Sequence, residues 1–408
     1  MKGTVLCTKK EDSVKLGKGH AFYRDTWAEV NLNAIENNVR AISRGLPAEA
    51  GFMAVVKANA YGHGAVDVAR TALHAGASTL GVAILDEALA LRHAGIEAPI
   101  LVLGYVRPED APLAVRYNIT LTVFQADWIK EAASQIKPGT GSLKCHLKVD
   151  TGMGRIGLRT EEEGDALAWE VKAHDGLFLL EGIYTHFATA DEIDDAYIRE
   201  QHSRFAHFLE WFKNRTGIKH PVVHSANSAT ALRYKDYAYT LVRVGISMYG
   251  LVPSEEIAGE ITVPLEEAFS LHSRITHVKR LEKGEAVSYG ATYRAEKSGE
   301  WIATIPIGYA DGWIRANAAG GEVLVDGRRA PIVGRICMDQ MMVKLPDKVE
   351  RGTKVTLIGR QGSSMISADE VACRLGTINY EIPCMISYRV PRAIYRDGAL
   401  VHLHNEVF

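Results

Sequence analysis

Three groups of residues in this sequence have types and spacings that could carry chemistry. Lys57 directly follows the apolar run Ala54-Val55-Val56 and precedes Ala58-Asn59-Ala60-Tyr61-Gly62-His63-Gly64, small and polar enough for a ligand to approach the backbone. A lysine in such a pocket can form a Schiff base with an aldehyde cofactor; the plainer reading is a lysine that leaves its strand for solvent. Gly152-Met153-Gly154-Arg155-Ile156-Gly157 satisfies G-x-G-x-x-G after a strand-like run, which raises a nucleotide-dependent oxidoreductase as a rival. The next helix argues against it. A dinucleotide turn itself opens the helix, so that its first amides face the pyrophosphate, whereas here Thr160-Glu161-Glu162-Glu163 reads as a capping box that starts the helix beyond the last glycine. The preceding strand also carries Lys148 and Asp150. Third, His402 and His404 share one face of a strand and could bind a metal adventitiously, but no Cys or carboxylate pattern surrounds them, so they read as surface histidines. Neither Gly-x4-Gly-Lys-Ser/Thr nor His-Glu-x-x-His occurs, which leaves P-loop and zincin chemistry without support.

The elements that must position these residues are legible from periodicity. Strand-like runs occur at Phe52–Val56, Leu80–Ile84, Ile100–Leu103, Thr120–Phe124, Cys145–Val149, Leu179–Thr185, Val222–His224 and Leu241–Val244. Most are rich in Val, Ile and Leu, as expected for strands covered on both sides. Helical patterns lie between them. Leu32, Ile35, Val39 and Ile42 share a face behind Asn33 as a cap, and Asp86–Ala94 stops at Gly95. Eight such repeats fit an α/β fold, an eight-stranded TIM-type barrel, with an open doubly wound sheet as the alternative. In a barrel, Lys57 would sit at the C-terminal strand end, where active sites form. Past Pro264 the rhythm changes to short alternating runs: Glu322–Asp326 and Pro331–Ile336 around an Asp326-Gly327 turn, then Ile302–Ile307, Met341–Leu345 and Lys354–Ile358. The expected organisation is a mobile N-terminal leader (1–24), an α/β barrel (25–264) and a mostly β domain (265–408).

Composition bounds the setting. The 408 residues are 47% hydrophobic and 24% charged, ordinary for a globular protein of two or three domains. With 47 Lys and Arg against 49 Asp and Glu, the net charge of −2 opposes a nucleic-acid-coating or polybasic membrane-binding role. Five cysteines (Cys7, Cys145, Cys337, Cys373, Cys384) are too few and odd in number for a disulfide framework, which fits a reducing cytoplasm. No run approaches the ~18 apolar residues of a membrane span, and the leader lacks the apolar stretch of a signal peptide.

The run Ala54–Gly64 resembles the pyridoxal-phosphate lysine motif of alanine racemases. The likeness continues through Lys148–Gly157, Tyr184-Thr185-His186, His224–Ser228, Arg243-Val244-Gly245-Ile246, Ser288-Tyr289-Gly290, Gly308-Tyr309-Ala310-Asp311-Gly312, Cys337-Met338-Asp339 and Asn379-Tyr380-Glu381, in the family's order over nearly the whole chain beyond residue 25. The resemblance implies a barrel joined to a β domain, a homodimer with shared active sites, and the cofactor pyridoxal 5'-phosphate. The implied activity interconverts L- and D-alanine for peptidoglycan by a two-base mechanism on a Schiff base, with no nucleic-acid or membrane partner. Neighbouring possibilities are a serine or broad-specificity racemase, which a pocket difference of only ~1–3 kcal/mol could produce, a barrel-type amino-acid decarboxylase, and a non-catalytic pyridoxal-phosphate carrier.

By the same resemblance, Lys57 is the Schiff-base lysine and one proton-transfer base, and Tyr289 of the partner subunit is the other, on the opposite cofactor face. Arg243 faces the pyridine nitrogen; a guanidinium only donates, so that nitrogen stays unprotonated and the electron sink is weakened. His186 and His224 extend the hydrogen-bond network around Tyr289 and Arg243. Ser228, Gly245, Ile246 and the Tyr61 and Tyr380 hydroxyls hold the phosphate. Arg155 meets the cofactor phenolate and the substrate carboxylate, which the Met338 amide also holds, and Tyr309 lines the substrate entrance. Lys148 alternates with Cys145, Leu147 and Val149 beside Arg155; two cations there repel, and the matching family lysine is often carbamylated to N6-carboxylysine. No metal site is expected.

Overall fold

The computed structural model describes residues 22–407. Eight short strands form one parallel sheet: β2 (Gly51–Val55), β3 (Thr79–Val82), β4 (Ile100–Val102), β5 (Thr120–Val123), β6 (Leu143–Lys148), β7 (Phe178–Tyr184), β8 (Val222–His224) and β9 (Leu241–Val244), in the order β8-β7-β6-β5-β4-β3-β2-β9. The sheet curls until its two ends meet. There the ladder is replaced by single bonds, Thr240 N to Val223 O at 3.1 Å and Arg243 N to Ala226 O at 3.0 Å. The barrel is therefore nearly closed, with an irregular seam between β8 and β9. Its strands are buried on both faces through residues such as Phe52, Leu80, Val102, Leu121 and Val244, which is why they read as continuous apolar runs.

Helices α1 (Leu32–Arg44), α3 (Ala65–His74), α4 (Leu85–His93), α5 (Ala111–Arg116), α6 (Ala126–Gln135), α7 (Glu161–Ala173), α8 (Ala196–Thr216) and α9 (Ser228–Arg233) alternate with the strands, and α2 (Lys57–Tyr61) is a single turn after β2. The α1 cap is Asn31, whose side chain accepts from the amides of Asn33 and Ala34, and not Asn33 as the pattern implied. The preceding strand runs through Asn31, so that residue supplies the extended backbone a cap needs. Asn33 instead pairs with Asp397.

A second body of β structure follows. Its main sheet has the order β16-β15-β18-β10-β1-β20-β21, with β19 attached to β18. The members are β1 (Thr26–Asn31), β10 (Phe269–Arg274), β15 (Glu322–Val325), β16 (Arg328–Pro331), β18 (Lys354–Gln361), β19 (Ser364–Ile366), β20 (Arg392–Arg396) and β21 (Ala399–His404). Strands β11 (His277–Leu281), β14 (Glu300–Ile305) and β17 (Met341–Leu345) make a smaller sheet, and β12 (Ala286–Val287) pairs with β13 (Tyr293–Arg294). Two helices, α10 (Ala368–Leu375) and α11 (Glu381–Met385), complete it. Strand β1 precedes the barrel in sequence but pairs here, antiparallel to β10 and parallel to β20. The β15–β16 hairpin turns at Asp326 and Gly327 with φ of 48° and 73°. The two-residue turn brings the returning strand in at Arg328, earlier than the expected Pro331.

Of the leader, residues 1–21 lie outside the described residues, Cys7 among them. Arg24 is anchored: its guanidinium pairs with the buried Asp311 carboxylate, Nη1 to Oδ1 at 2.6 Å, and with the Pro306 carbonyl.

The second body fixes the turn after β2. Arg392 Nε donates to Gly62 O at 3.0 Å, and Gly62 sits at φ +83° with no room for a Cβ, which would collide with the Pro383 carbonyl of α11. We expect Gly62→Ala to cost about 3 kcal/mol, left-handed strain plus collision. Gly95→Ala, also left-handed at φ +80° but with open space around its Cβ, should cost about 1 kcal/mol. Melting temperatures of the two variants, compared with the parent, check the difference.

Candidate active site

Lys57 enters a cavity of 740 Å³ at the C-terminal end of the barrel strands. The backbone that delivers it is unusual. Ala58, Asn59, Ala60 and Tyr61 all have φ of 52–53°, a left-handed turn that costs L-residues about 1–2 kcal/mol each. Polar contacts hold it: Glu87 Oε1 accepts from Ala58 N at 2.5 Å, Asn59 Oδ1 from Ala65 N at 2.8 Å, and the buried His63 ring donates from Nδ1 to the carbonyls of Ala60 and Tyr61. Burial keeps His63 neutral, with its pKa down at about 4. Burial, and then the Arg155 guanidinium, lower the Lys57 amine below its ordinary range, against the opposing pull of Glu87.

Arg243 lies buried at the β8–β9 seam. Its Nη1 donates to His224 O and Nδ1 at 3.1 and 3.0 Å; Nη2 donates to Thr185 O at 2.9 Å, Ser225 O at 3.0 Å and His186 Nδ1 at 3.1 Å. Both terminal nitrogens are thus consumed, and Nε is left as the donor without a protein acceptor among the described residues. Because His224 Nδ1 accepts from Arg243, its Nε2 carries the proton and donates to His146 Nδ1 at 2.8 Å. Burial and then Arg243 push His186 and His224 well below the ordinary histidine range, so both rings are neutral. Burial lowers Arg243 itself only to about 10, leaving it charged at neutral pH.

Lys148 is buried, with Nζ donating to Val149 O at 2.6 Å. Burial first, then Arg243, push its pKa down to about 7. Tyr184 lies under both cations, its ring centroid 5.4 Å from Lys148 Nζ and 5.3 Å from the Arg243 guanidinium carbon. Its other neighbour is the His224 ring, stacked at 4.5 Å.

The rest of the cavity is a set of neutral donors. Ser228 Oγ lies 3.0 Å from Gly245 N. A Cβ on Gly245 would lie 2.5 Å from Tyr61 Oη, so the glycine keeps that hydroxyl against the backbone. Tyr380 sits beside Tyr61, ring centroids 6.3 Å apart, and burial raises both phenols, which stay protonated as donors. This donor set fits pyridoxal phosphate: an amine for the aldehyde, a charged Nε for the pyridine nitrogen, and hydroxyls around Gly245 and Ile246 for a phosphate.

Lys57, Tyr61, Lys148, Arg155 and His186 therefore share one cavity with Ser228, Arg243, Gly245, Ile246 and Tyr380; His224 stands behind Arg243. Arg155 has no hydrogen-bonded or ion-paired side-chain partner among the described residues. Tyr289, Tyr309 and Met338 do not line this cavity and are 68%, 40% and 53% exposed. The glycine-rich loop presents no anion cradle, because its Gly152 and Gly154 amides both donate to Asp150 Oδ1 at 3.0 Å and α7 begins only after the Thr160 cap. Tyr184, Glu87 and His146 were not singled out as site residues from sequence. A polar ring closing the apolar run of β7 was the available sign for Tyr184; Glu87 and His146 join through tertiary contact and carry no such sign.

Comparison with known proteins places this geometry. The alanine racemase N-terminal domain family matches residues 30–253 and the alanine racemase C-terminal domain family residues 268–394. The chain is 58% identical over 386 residues to an alanine racemase of Geobacillus stearothermophilus, covering 95% of this chain and 97% of the relative. It is 51% identical to alanine racemase 1 of Bacillus subtilis, over 94% and 96% of the two chains. The crystal structure of alanine racemase from Bacillus anthracis with bound L-Ala-P superposes with a TM-score of 0.92 at 51% identity, over 95% of this chain and 99% of that one.

The Arg243 contacts generate a prediction of their own. Arg243→Lys keeps a charge but cannot span three carbonyls and two imidazoles. It should destabilise the protein by about 3 kcal/mol through unpaired buried acceptors and weaken pyridoxal phosphate binding, as read by thermal melting and by titration of the cofactor absorbance.

Proposed function

The chain belongs to the alanine racemase family and racemises alanine, and we propose that it does so by exchanging a proton between two opposed groups, Lys57 and Tyr289 of the partner subunit, with pyridoxal phosphate held in the 740 Å³ cavity. The observation that carries this reading is Lys57 itself, an amine lowered by burial at the mouth of a barrel whose other donors fit each part of that cofactor. Arg243 at the ring nitrogen also favours racemisation over a barrel decarboxylase, which would place a carboxylate there.

The bound cofactor supplies an aldehyde for covalent capture of the amino group and a conjugated ring that accepts electrons when the Cα–H bond breaks. The residues do the rest. Lys57 Nζ, with its proton affinity reduced, is both the nucleophile and a base on one face. Arg243 stays charged and donates from Nε, so no proton is available there for the ring nitrogen, and the electron demand on the cofactor stays moderate. Ser228, Tyr61 and Tyr380, all neutral, fix the phosphate end without adding charge near Lys57. Arg155, free of protein acceptors, offers a guanidinium to the substrate carboxylate. Racemisation requires a second proton source on the opposite face. Tyr289, a phenol exposed outside its own cavity, fits that task in a homodimer, together with Met338 at the substrate carboxylate and Tyr309 at the entrance.

For Lys148 the reading is carbamylation. With its pKa near 7 the amine is substantially neutral at physiological pH; its nitrogen adds to the carbon of dissolved carbon dioxide and releases a proton, forming a carbamate anion. This converts a cation that repels Arg155 into a partner that orients it. We place the enzyme in the cytoplasm, where its product would feed peptidoglycan synthesis. Cys145, Cys337, Cys373 and Cys384 are free thiols, and no described helix is long and apolar enough to cross a membrane.

Borohydride reduction of the holoenzyme followed by peptide mapping should place the cofactor on Lys57; a label elsewhere overturns the assignment. Tyr289→Phe should lower turnover about 10²–10⁴-fold while retaining cofactor, and mixing it with Lys57→Ala chains should restore one intact site per heterodimer. No recovery in verified heterodimers would defeat the shared site. With ¹³C-bicarbonate, NMR should show one carbamate carbon per chain, lost in Lys148→Gln; a spectrum without it removes the modification.

A further inference from the structure

We propose that Asp67, His402 and His404 form a binding site for one zinc-type divalent ion that ties the last strand of the β body to the first long helix behind Lys57. The histidines stand two apart on β21 and so share a face; the carboxylate, which no sequence pattern announces, comes from the first turn of α3. Their ligand atoms all lie within 4.8 Å of one another. Each histidine addresses a different carboxylate oxygen, His402 Nδ1 to Oδ1 at 3.4 Å and His404 Nε2 to Oδ2 at 2.5 Å.

Two charged imidazoles beside one carboxylate explain this cluster poorly. The two imidazole centroids are 4.3 Å apart, so two charged rings would repel, while one carboxylate neutralises only one of them. Neutral rings instead each donate one N–H to the carboxylate. A dication can replace those protons, taking the same two nitrogens and the carboxylate as ligands. Zinc binds nitrogen and carboxylate oxygen at ~2.0–2.2 Å, and a tetrahedral site then separates ligand atoms by ~3.3 Å. The His402–Asp67 separation already has that value, and the His404–Asp67 pair needs to open by less than an ångström. Two imidazoles and one carboxylate select zinc-type ions over magnesium, which prefers an all-oxygen octahedron.

The rest of the surroundings suit a partly open site. His402 is about half exposed at 54% of its side chain, Asp67 is largely covered at 13%, and His404 also lines a cavity of 180 Å³ that contains Glu406. Water can complete the coordination. Asn59 and Gly64 line the same cavity, so the ion would fasten β21 to the segment that closes the left-handed turn after Lys57. The zinc site is distinct from the cofactor cavity, whose lining includes none of the three ligands.

The test is calorimetric titration of the chelator-treated holoenzyme with zinc chloride, and separately with magnesium chloride. One saturable zinc site per chain is expected, with no magnesium site. In His402→Gln and in Asp67→Asn zinc affinity should fall at least tenfold, and zinc should raise the melting temperature of the parent but of neither variant. His402→Gln alters an exposed side chain and keeps the fold, so its titration is interpretable whatever Asp67→Asn does. No saturable zinc binding, or equal binding by the parent and His402→Gln, overturns the proposal.

Discussion

The Arg243 guanidinium is a permanent charge held away from water at the point where the barrel fails to close with regular hydrogen bonds. Three carbonyls just beyond the ends of β7 and β8, those of Thr185, His224 and Ser225, are turned onto its two terminal nitrogens. A buried cation is tolerated only when its donors are satisfied, and the seam provides the acceptors. The consequences spread from there. After burial, the charge is the next cause that keeps His186 and His224 neutral; it also sets the tautomer of His224 and through it the direction of the His146 bond, and helps lower Lys148. Burial and one guanidinium together therefore set which of these groups carry protons, and the guanidinium keeps a single unspent N–H for a ligand.

A second constraint concerns where Lys57 points. Four successive residues in the left-handed region form a strained turn, and such strain persists only where the surroundings over-determine it. Here the restraints come from both bodies of the protein. Glu87 and His63 belong to the barrel half, whereas Arg392 and Pro383, at Gly62, belong to the β half. The strand β1 reinforces the connection, since the chain starts in the second sheet before it enters the barrel. The two bodies are thus woven together at the turn that carries the proposed Schiff-base lysine.

How much of this was legible in sequence follows from the range of the interactions. The barrel strands were readable because each is buried on both faces, so a run such as Ile100–Val102 carries its own signal. The Thr160 cap was also readable, being local, and it separated the glycine loop from a nucleotide turn; Asp150 then completes the explanation by capturing the loop amides. Local pattern failed where a partner from elsewhere decides the outcome. Asn31 displaced Asn33 as a cap because β1 extends to meet β10 and β20. Glu87 reads as an ordinary first-turn acid of α4 and becomes part of the site only by reaching Ala58. His402 and His404 read as surface histidines until α3 supplies Asp67. For the cavity residues, type and motif identified the candidates, but neutral Tyr61 and Tyr380, or depressed Lys148, depend on burial that no spacing encodes.

The β body presents Tyr289, Tyr309 and Met338 to solvent, yet the turns beneath them are firmly built. Ser288, at φ 69°, donates from Oγ to Arg335 O at 2.5 Å, and Tyr309 N and Ala310 N donate to the carbonyls of Cys337 and Met338. Below them Asp311, fully buried, accepts from Gly308 N at 2.9 Å and pairs with Arg24. Exposure here is therefore not looseness: buried polar groups hold exposed side chains in a fixed array. A rigid array with no function inside its own cavity is suited to complete another chain's site. In that proposed arrangement the two faces of the substrate would be served by structures that never have to move past each other, so the proton donors would stay opposed through every turnover. In the proposed homodimer the stereochemical requirement of racemisation would be met by the assembly of two rigid halves, with Lys57 fixed by its strained turn on one side and Tyr289 of the partner subunit fixed by its anchored turn on the other.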